Sequence, residues 1–322
     1  MNFSRAIILV AAITVLALSV LPGVSAAEAA KYEETFERTE KLAMDGKVYL
    51  SNLSGNVTIV TWDRPDVKIH ALKTSRAKSY EEAKERAELV KIEVKRSDGQ
   101  LQIRTNYPER RIKKQLNVYV AYELTIPNRA HATVSNVSGN IEAQDLGALA
   151  KLDTVSGNVI VVGAAEGGVF SAVSGNVDLR DVGEDVNAKT VSGAIRLGKV
   201  SGTVNVEAVS GGVELTGLSD AQSANISVHS GDITFEGTLN RDGRYSFRNH
   251  SGSITLILPG DTSFDLNVKT FSGNLTSEFK VLSEFEGKLK QPRRDLHGEV
   301  NGGGADVTIE TFSGNVKLKK AD

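Results

Sequence analysis

The chain reads as an all-β protein, a repeat β-solenoid or β-roll, and three observations carry that reading. Ser-Gly pairs begin at Ser138, Ser156, Ser174, Ser192 and Ser210 with a period of 18 residues, then at Ser230, Ser251 and Ser272 with steps of 20, 21 and 21. A fixed period is the mark of units that stack on their neighbours. Ahead of each pair, small or apolar residues alternate with polar ones, as in Val186, Ala188 and Thr190 around Asn187 and Lys189, the pattern of a strand with one buried face. The composition agrees: 30 Gly stand against 6 Pro, and with only 10 Phe and 7 Tyr the core must come from Val, Ile, Leu and Ala, a β-favouring inventory with many tight backbone positions.

Residues 1–26 read as a signal peptide. Arg5 supplies the positive start, Ala6 to Leu21 is apolar, Pro22-Gly23 breaks the run, and Val24-Ser25-Ala26 offers a small-residue cleavage site, with a second one at Ala29. Sixteen apolar residues fall short of the about 20 that a spanning helix needs; a retained anchor is the alternative. No later segment has the length and apolarity of a transmembrane helix. The absence of cysteine removes disulfides, thiol redox chemistry and a Cys-linked lipid. The expected location is therefore exported: periplasm, cell surface or secreted.

Residues 31–130 form a strand-rich N-terminal region with strand-like stretches at 47–62, 67–73, 91–96, 101–105 and 116–126, and a hairpin turn at Asp98-Gly99. One helix is predicted over 79–90, because Ser79 and Glu82 make a capping box and Ala83, Ala87 and Val90 keep one apolar stripe. Residues 131–274 are the repeat solenoid. Residues 275–322 are a charged insertion followed by a closing repeat, which ends in the same Thr-Phe-Ser-Gly-Asn as 270–274.

Within each unit, positions −6, −4 and −2 from the Ser point inward, and after the pair the inward set resumes at +3 and +5, as Val177 and Leu179 or Ile195 and Leu197. The parity has slipped by one, which requires a bend or bulge; Gly accepts positive φ there, and Ser and Asn bond nearby backbone. Ser-Gly therefore marks a corner. Ser201, halfway between Ser192 and Ser210, suggests two similar halves in each unit. Consecutive units are expected to stack in chain order about 4.8 Å apart.

The leader, "LSGNVTIVTWDRPDV" (53–67), "LTIP" (124–127), the serial "VSGNV" units and "GGGADVTIETFSGNVKL" (302–318) resemble a bacterial family of putative adhesins, β-strand repeat proteins of the cell envelope. The resemblance implies an exported β-solenoid, sometimes linked with envelope-stress systems, and transfers no catalytic residue.

Chemistry is sparse. His70, His131, His229, His250 and His297 show no metal-ligand spacing, although His229 and His250 share one repeat position and stacking should bring their Cα atoms within about 5 Å. The stretch 302–310 fails the spacing of calcium-binding nonapeptides. Asp178, Asp181, Glu184 and Asp185 cluster in one unit, but the next offers Arg196 and Lys199 instead. No nucleophile has an identifiable base, and no phosphate or dinucleotide fingerprint occurs. No catalytic residue, cofactor or metal is expected. Residues 131–262 hold 8 Lys plus Arg against 15 Asp plus Glu, while basic runs stand at 110–114 and 288–294; a near-neutral exported chain is not a nucleic-acid binder.

The candidate interaction stripe is position −1 of each unit: Val137, Val155, Val173, Val191, Val209, His229, His250, Phe271 and Phe312. Strict alternation turns this column outward as one stripe along a corner; a bend that rotates it back would place it in the core. Both readings fit the pattern. The functional expectation is a non-enzymatic envelope protein presenting a repetitive β surface for adhesion or partner binding, the partner being an envelope protein or a polysaccharide. The alternatives are an envelope-stress sensory module and a carbohydrate-active enzyme on a β-helix.

Overall fold

A computed structural model describes residues 29–108, 116–218, 220–282 and 295–321. The predicted leader and both basic runs lie outside the described residues. What is described comprises 26 strands and one helix.

Each repeat supplies two strands, one before the Ser-Gly and one after it, and each joins its own parallel sheet. In the leading sheet Ala150, Gly168, Val186 and Val204 lie side by side, each 18 residues from the last. In the trailing sheet Val159, Val177, Ile195 and Val213 do the same. The inward residues are nearly inaccessible, among them Val186, Ala188, Thr190, Ile195 and Leu197. The solenoid core is therefore a narrow slab between two faces of β-branched and small side chains, with rings added in the later coils. There Phe235, Tyr245 and Phe247 meet edge to face at centroid distances of 5.5–6.0 Å, a preferred aromatic geometry.

The corner explains the Ser-Gly-Asn signature. Thr190 is buried, the next four residues are not, and Ile195 is buried again, so the parity slip falls at Gly193, whose φ is +150°. Its N–H donates to the Ser210 carbonyl of the next coil at 3.0 Å. The Asn that follows the Gly builds a ladder between coils: the Asn176 N–H donates to Asn158 Oδ1 at 2.8 Å, and the Ala194 N–H donates to Asn176 Oδ1 at 2.8 Å. Position −2 closes the corner from inside, as Thr190 Oγ1 donates to the Gly175 carbonyl at 3.0 Å and Asn136 Nδ2 to the Gly139 carbonyl at 3.0 Å. Buried carbonyls are thereby satisfied without water.

A second corner, unread in the sequence, lies seven residues past the Ser. Asp145, Gly163, Asp181, Lys199 and Gly217 occupy that column at φ between 53° and 77°, where Gly and short polar residues are best tolerated. The signal was an 18-residue recurrence of Asp and Gly. Ser201-Gly202 sits on this far side of the coil, inside the long strand Ile195–Ser210 that passes from one sheet to the other.

Both ends depart from the expected order of stacking. The strand Ala305–Ser313 of the closing repeat pairs with Arg244–Ser251 on one side and with Phe264–Ser272 on the other. The last coil in sequence is thus the penultimate coil in space. The first coil is displaced likewise: Val48 lies between Leu101 and Ala132, and Ile59 between Leu124 and Ala143. Residues 47–62 are therefore a solenoid coil, and one continuous core joins the N-terminal segment to the repeats.

Antiparallel strands finish the two ends. Asp66–Ala77 runs against Val118–Pro127 and carries Ala30–Lys41 on its far edge; the helix Tyr80–Glu88 packs on both, burying Ala83 and Ala87. Ser79 caps that helix through the Glu82 N–H. The hairpin at Asp98-Gly99 has φ of 44° and 72°, as a type I′ turn requires. At the other end Asp295–Val300 runs antiparallel to Phe264–Ser272.

Burial pushes the Tyr122 phenol up to about 12 even though its hydroxyl bonds Thr105 at 2.7 Å, and burial raises Tyr107 and Tyr245 as well. A raised phenol is neutral in the fold at a pH where the unfolded chain has ionised. The stabilisation is complete below pH ~10 and is lost as pH rises through the folded value. Alkaline unfolding between about pH 10 and 12 is expected, and Tyr122→Phe should shift its midpoint upward, as read by circular dichroism.

Candidate functional site

The corner geometry decides the orientation of the predicted stripe. Strand alternation runs on through position −1, and the slip comes only at the glycine after it, so the column points outward on the leading sheet. Val137 is 43 % exposed and Phe271 54 %, with Val155, Val173, Val191, Val209 and Phe312 between them; His229 and His250 are exposed too. Leu53, half-buried, occupies the same position in the 47–62 coil. It carried the same Ser-Gly signal but lay in the segment read as non-repeat.

Threading of the last coil rearranges the aromatic end of this column. Its spatial order is His229, His250, Phe312, Phe271, and the four rings form a face-to-face stack with centroid distances of 4.8, 4.9 and 4.7 Å and interplanar angles of 4°, 9° and 2°. Each spacing matches the separation of neighbouring strands, so the backbone ladder dictates the stack.

Beside the stripe, position −3 forms a charged column whose members pair along it. Lys189 meets Glu207 at 3.0 Å, and Glu310 receives Arg248 at 3.3 Å and Lys269 at 3.7 Å. Between the two columns lies an open groove of about 1000 Å³, running from Val173 to Phe271 with Asp295 at its edge. A second depression of about 890 Å³ lies over Asn225, Ser246, Asn267 and Thr308, walled by Leu282, His297 and Glu299; Arg248 lines both.

The remaining predicted features come together in no reactive group. Asp178 pairs with Arg196 at 3.3 Å and Asp181 with Lys199 at 3.6 Å, while Asp185 accepts the Thr203 N–H. In the Gly302-Gly303-Gly304 turn, the Gly304 N–H donates to Asp265 Oδ2 at 3.2 Å. His229 and His250 stack without a third ligand, and among the described residues no group of three His, Asp or Glu is placed to hold a metal. No helix among the described residues is long and apolar enough to cross a membrane.

A two-sheet parallel solenoid with glycine corners and an exposed apolar column defines a β-solenoid repeat protein. The chain belongs to the Toastrack DUF4097 family, whose model matches residues 46–319. Solved structures to which the chain is similar include a putative adhesin from Bacteroides fragilis, 14% identical over 88% of this chain and 97% of that one with a TM-score of 0.37. A putative adhesin from Parabacteroides merdae is 12% identical over 89% and 95%, with a TM-score of 0.27. A putative lipid binding protein from Parabacteroides distasonis is 11% identical over 88% and 96%, with a TM-score of 0.46. No curated protein matches the chain.

Proposed function

We propose that this is a non-enzymatic, exported cell-envelope protein that binds a partner through the stripe on its leading sheet. The observation that carries the reading is the exposed apolar column running the length of the repeats. Its residues do no work in the core, and a contiguous apolar patch of this extent marks an interaction site. The pairing of the acidic groups beside the stripe with basic neighbours supports a binding role over catalysis. In the stack the facing rings cover one another, so the inner ring faces are closed to solvent and their edges are what they present. Free ring faces are what a sugar would stack upon, so the arrangement favours a protein surface over a polysaccharide.

The test is Val173→Thr with Val191→Thr. Because both side chains are half exposed, the thermal midpoint is expected to move by less than about 0.5 kcal/mol in equivalent stability. Retention of the variant on isolated envelope fractions is expected to fall severalfold. Unchanged retention, or unfolding of the variant, defeats the proposal.

A further inference from the structure

We propose that the stripe takes a second copy of this chain, which deepens the binding reading above and rests on it. The two leading sheets pack face to face about a two-fold axis parallel to the strands, passing between the coils of Val191 and Val209. Strands of the two copies then run the same way while their coils run in opposite order. Each column therefore meets its own column reversed.

Size selects the register. Ten coils carry the column, from Leu53 at one end to Phe271 at the other, a length of about 43 Å at the inter-strand spacing. The outward positions −5 to −1 give a width of about 13 Å. Full overlap covers roughly 560 Å² per copy, about 1100 Å² in all, just above the ~1000 Å² that a specific interface needs. Every coil of displacement takes about a tenth of the column off its own counterpart, so the fully overlapped arrangement is the one that buries the whole stripe.

Full overlap is also complementary in shape and charge. One half of the stripe is small and the other is the ring stack, and reversal sets each against the other: Val137 faces Phe312, Val155 faces His250, and Val173 faces His229. In the charged column Lys189 faces Glu207 and Asp153 faces Arg248, while Ser171 faces Ser227. No like charges oppose one another in the −3 or −5 columns. A self-complementary patch is what an isologous two-fold contact requires, and charge matching of this kind fixes register.

The test is a charge swap, read by sedimentation equilibrium on the chain recovered after export. The native chain is expected to show a concentration-dependent monomer–dimer equilibrium. Lys189→Glu places glutamates against glutamates, and Glu207→Lys places lysines against lysines, so each variant alone should dimerise about tenfold more weakly or worse. An equimolar mixture restores both opposite-charge pairs and should recover dimer as a heterodimer. Both side chains are exposed, so folding is unaffected, which circular dichroism verifies. Self-association that is indifferent to either swap, or a mixture that fails to recover, overturns the proposal. A chain monomeric at all concentrations also overturns it. If that monomer still shows stripe-dependent retention on envelope fractions, the binding reading survives with a different partner; if retention is absent too, both fall.

Discussion

Replacing Gly193 with valine is expected to cost about 3 kcal/mol or more, a large share of the 5–15 kcal/mol that holds a typical domain folded. Two penalties combine. The backbone φ of +150° disfavours any β-branched residue by roughly 1–3 kcal/mol. A Cβ at this position would also lie 2.1 Å from the Gly175 carbonyl oxygen and 2.6 Å from its carbon, so the coils must part and the ladder on both sides must stretch. Gly99→Ala separates the two effects, because Gly99 has φ of +72° but nothing within 4 Å of a Cβ; it should cost about 1 kcal/mol. Ser192→Ala should cost less still, since Ser192 contributes its backbone to the ladder, and alanine keeps that. Chemical denaturation of the three variants measures the series, and equal losses at Gly193 and Gly99 would remove the stacking explanation.

Truncation after residue 302 is expected to unfold far more than the residues removed. Ala305–Ser313 and Val316–Lys320 form the coil on which the previous one stacks. Without it, Phe264–Ser272 keeps only its antiparallel pairing with Asp295–Val300, and Leu275–Ser277 loses its only pairing. A two- or three-stranded fragment with no sheet behind it is marginal in water, so Phe264–Ser272, Leu275–Ser277 and Asp295–Val300 should come away together. Amide exchange at Leu266 and Val268 should rise to the rate of an unfolded segment, while Val186 and Ile195 stay protected. If the final repeat simply capped the stack in chain order, protection at Leu266 and Val268 would survive.

These expectations divide between what the amino-acid pattern carries and what it does not. Alternation at Val186, Ala188 and Thr190 and the parity slip at Gly193 were legible because a strand's period of two and a glycine's freedom at positive φ are local properties. The helix after Ser79 and the turn at Asp98-Gly99 were legible for the same reason, since capping and type I′ geometry involve neighbours in sequence. The far corner at Asp181 and Lys199 escaped reading because residues of different chemistry, Asp, Gly and Lys, all serve in that left-handed column.

Coil order had no local signature at all. The units ending at Phe271 and Phe312 share the same Thr-Phe-Ser-Gly-Asn corner and the same inward alternation, so each could stack on the His250 coil equally well by pattern. The outward direction of the stripe was likewise undecided, because it depends on which side of position −1 the bend falls. By itself the sequence determined the solenoid, its period and its glycine corners, all set by short-range backbone preference repeated every 18 residues. Only the tertiary structure decided that Phe312 stacks between His250 and Phe271 and that Val137 to Phe271 face solvent, because those outcomes depend on contacts between coils that identical repeats do not distinguish.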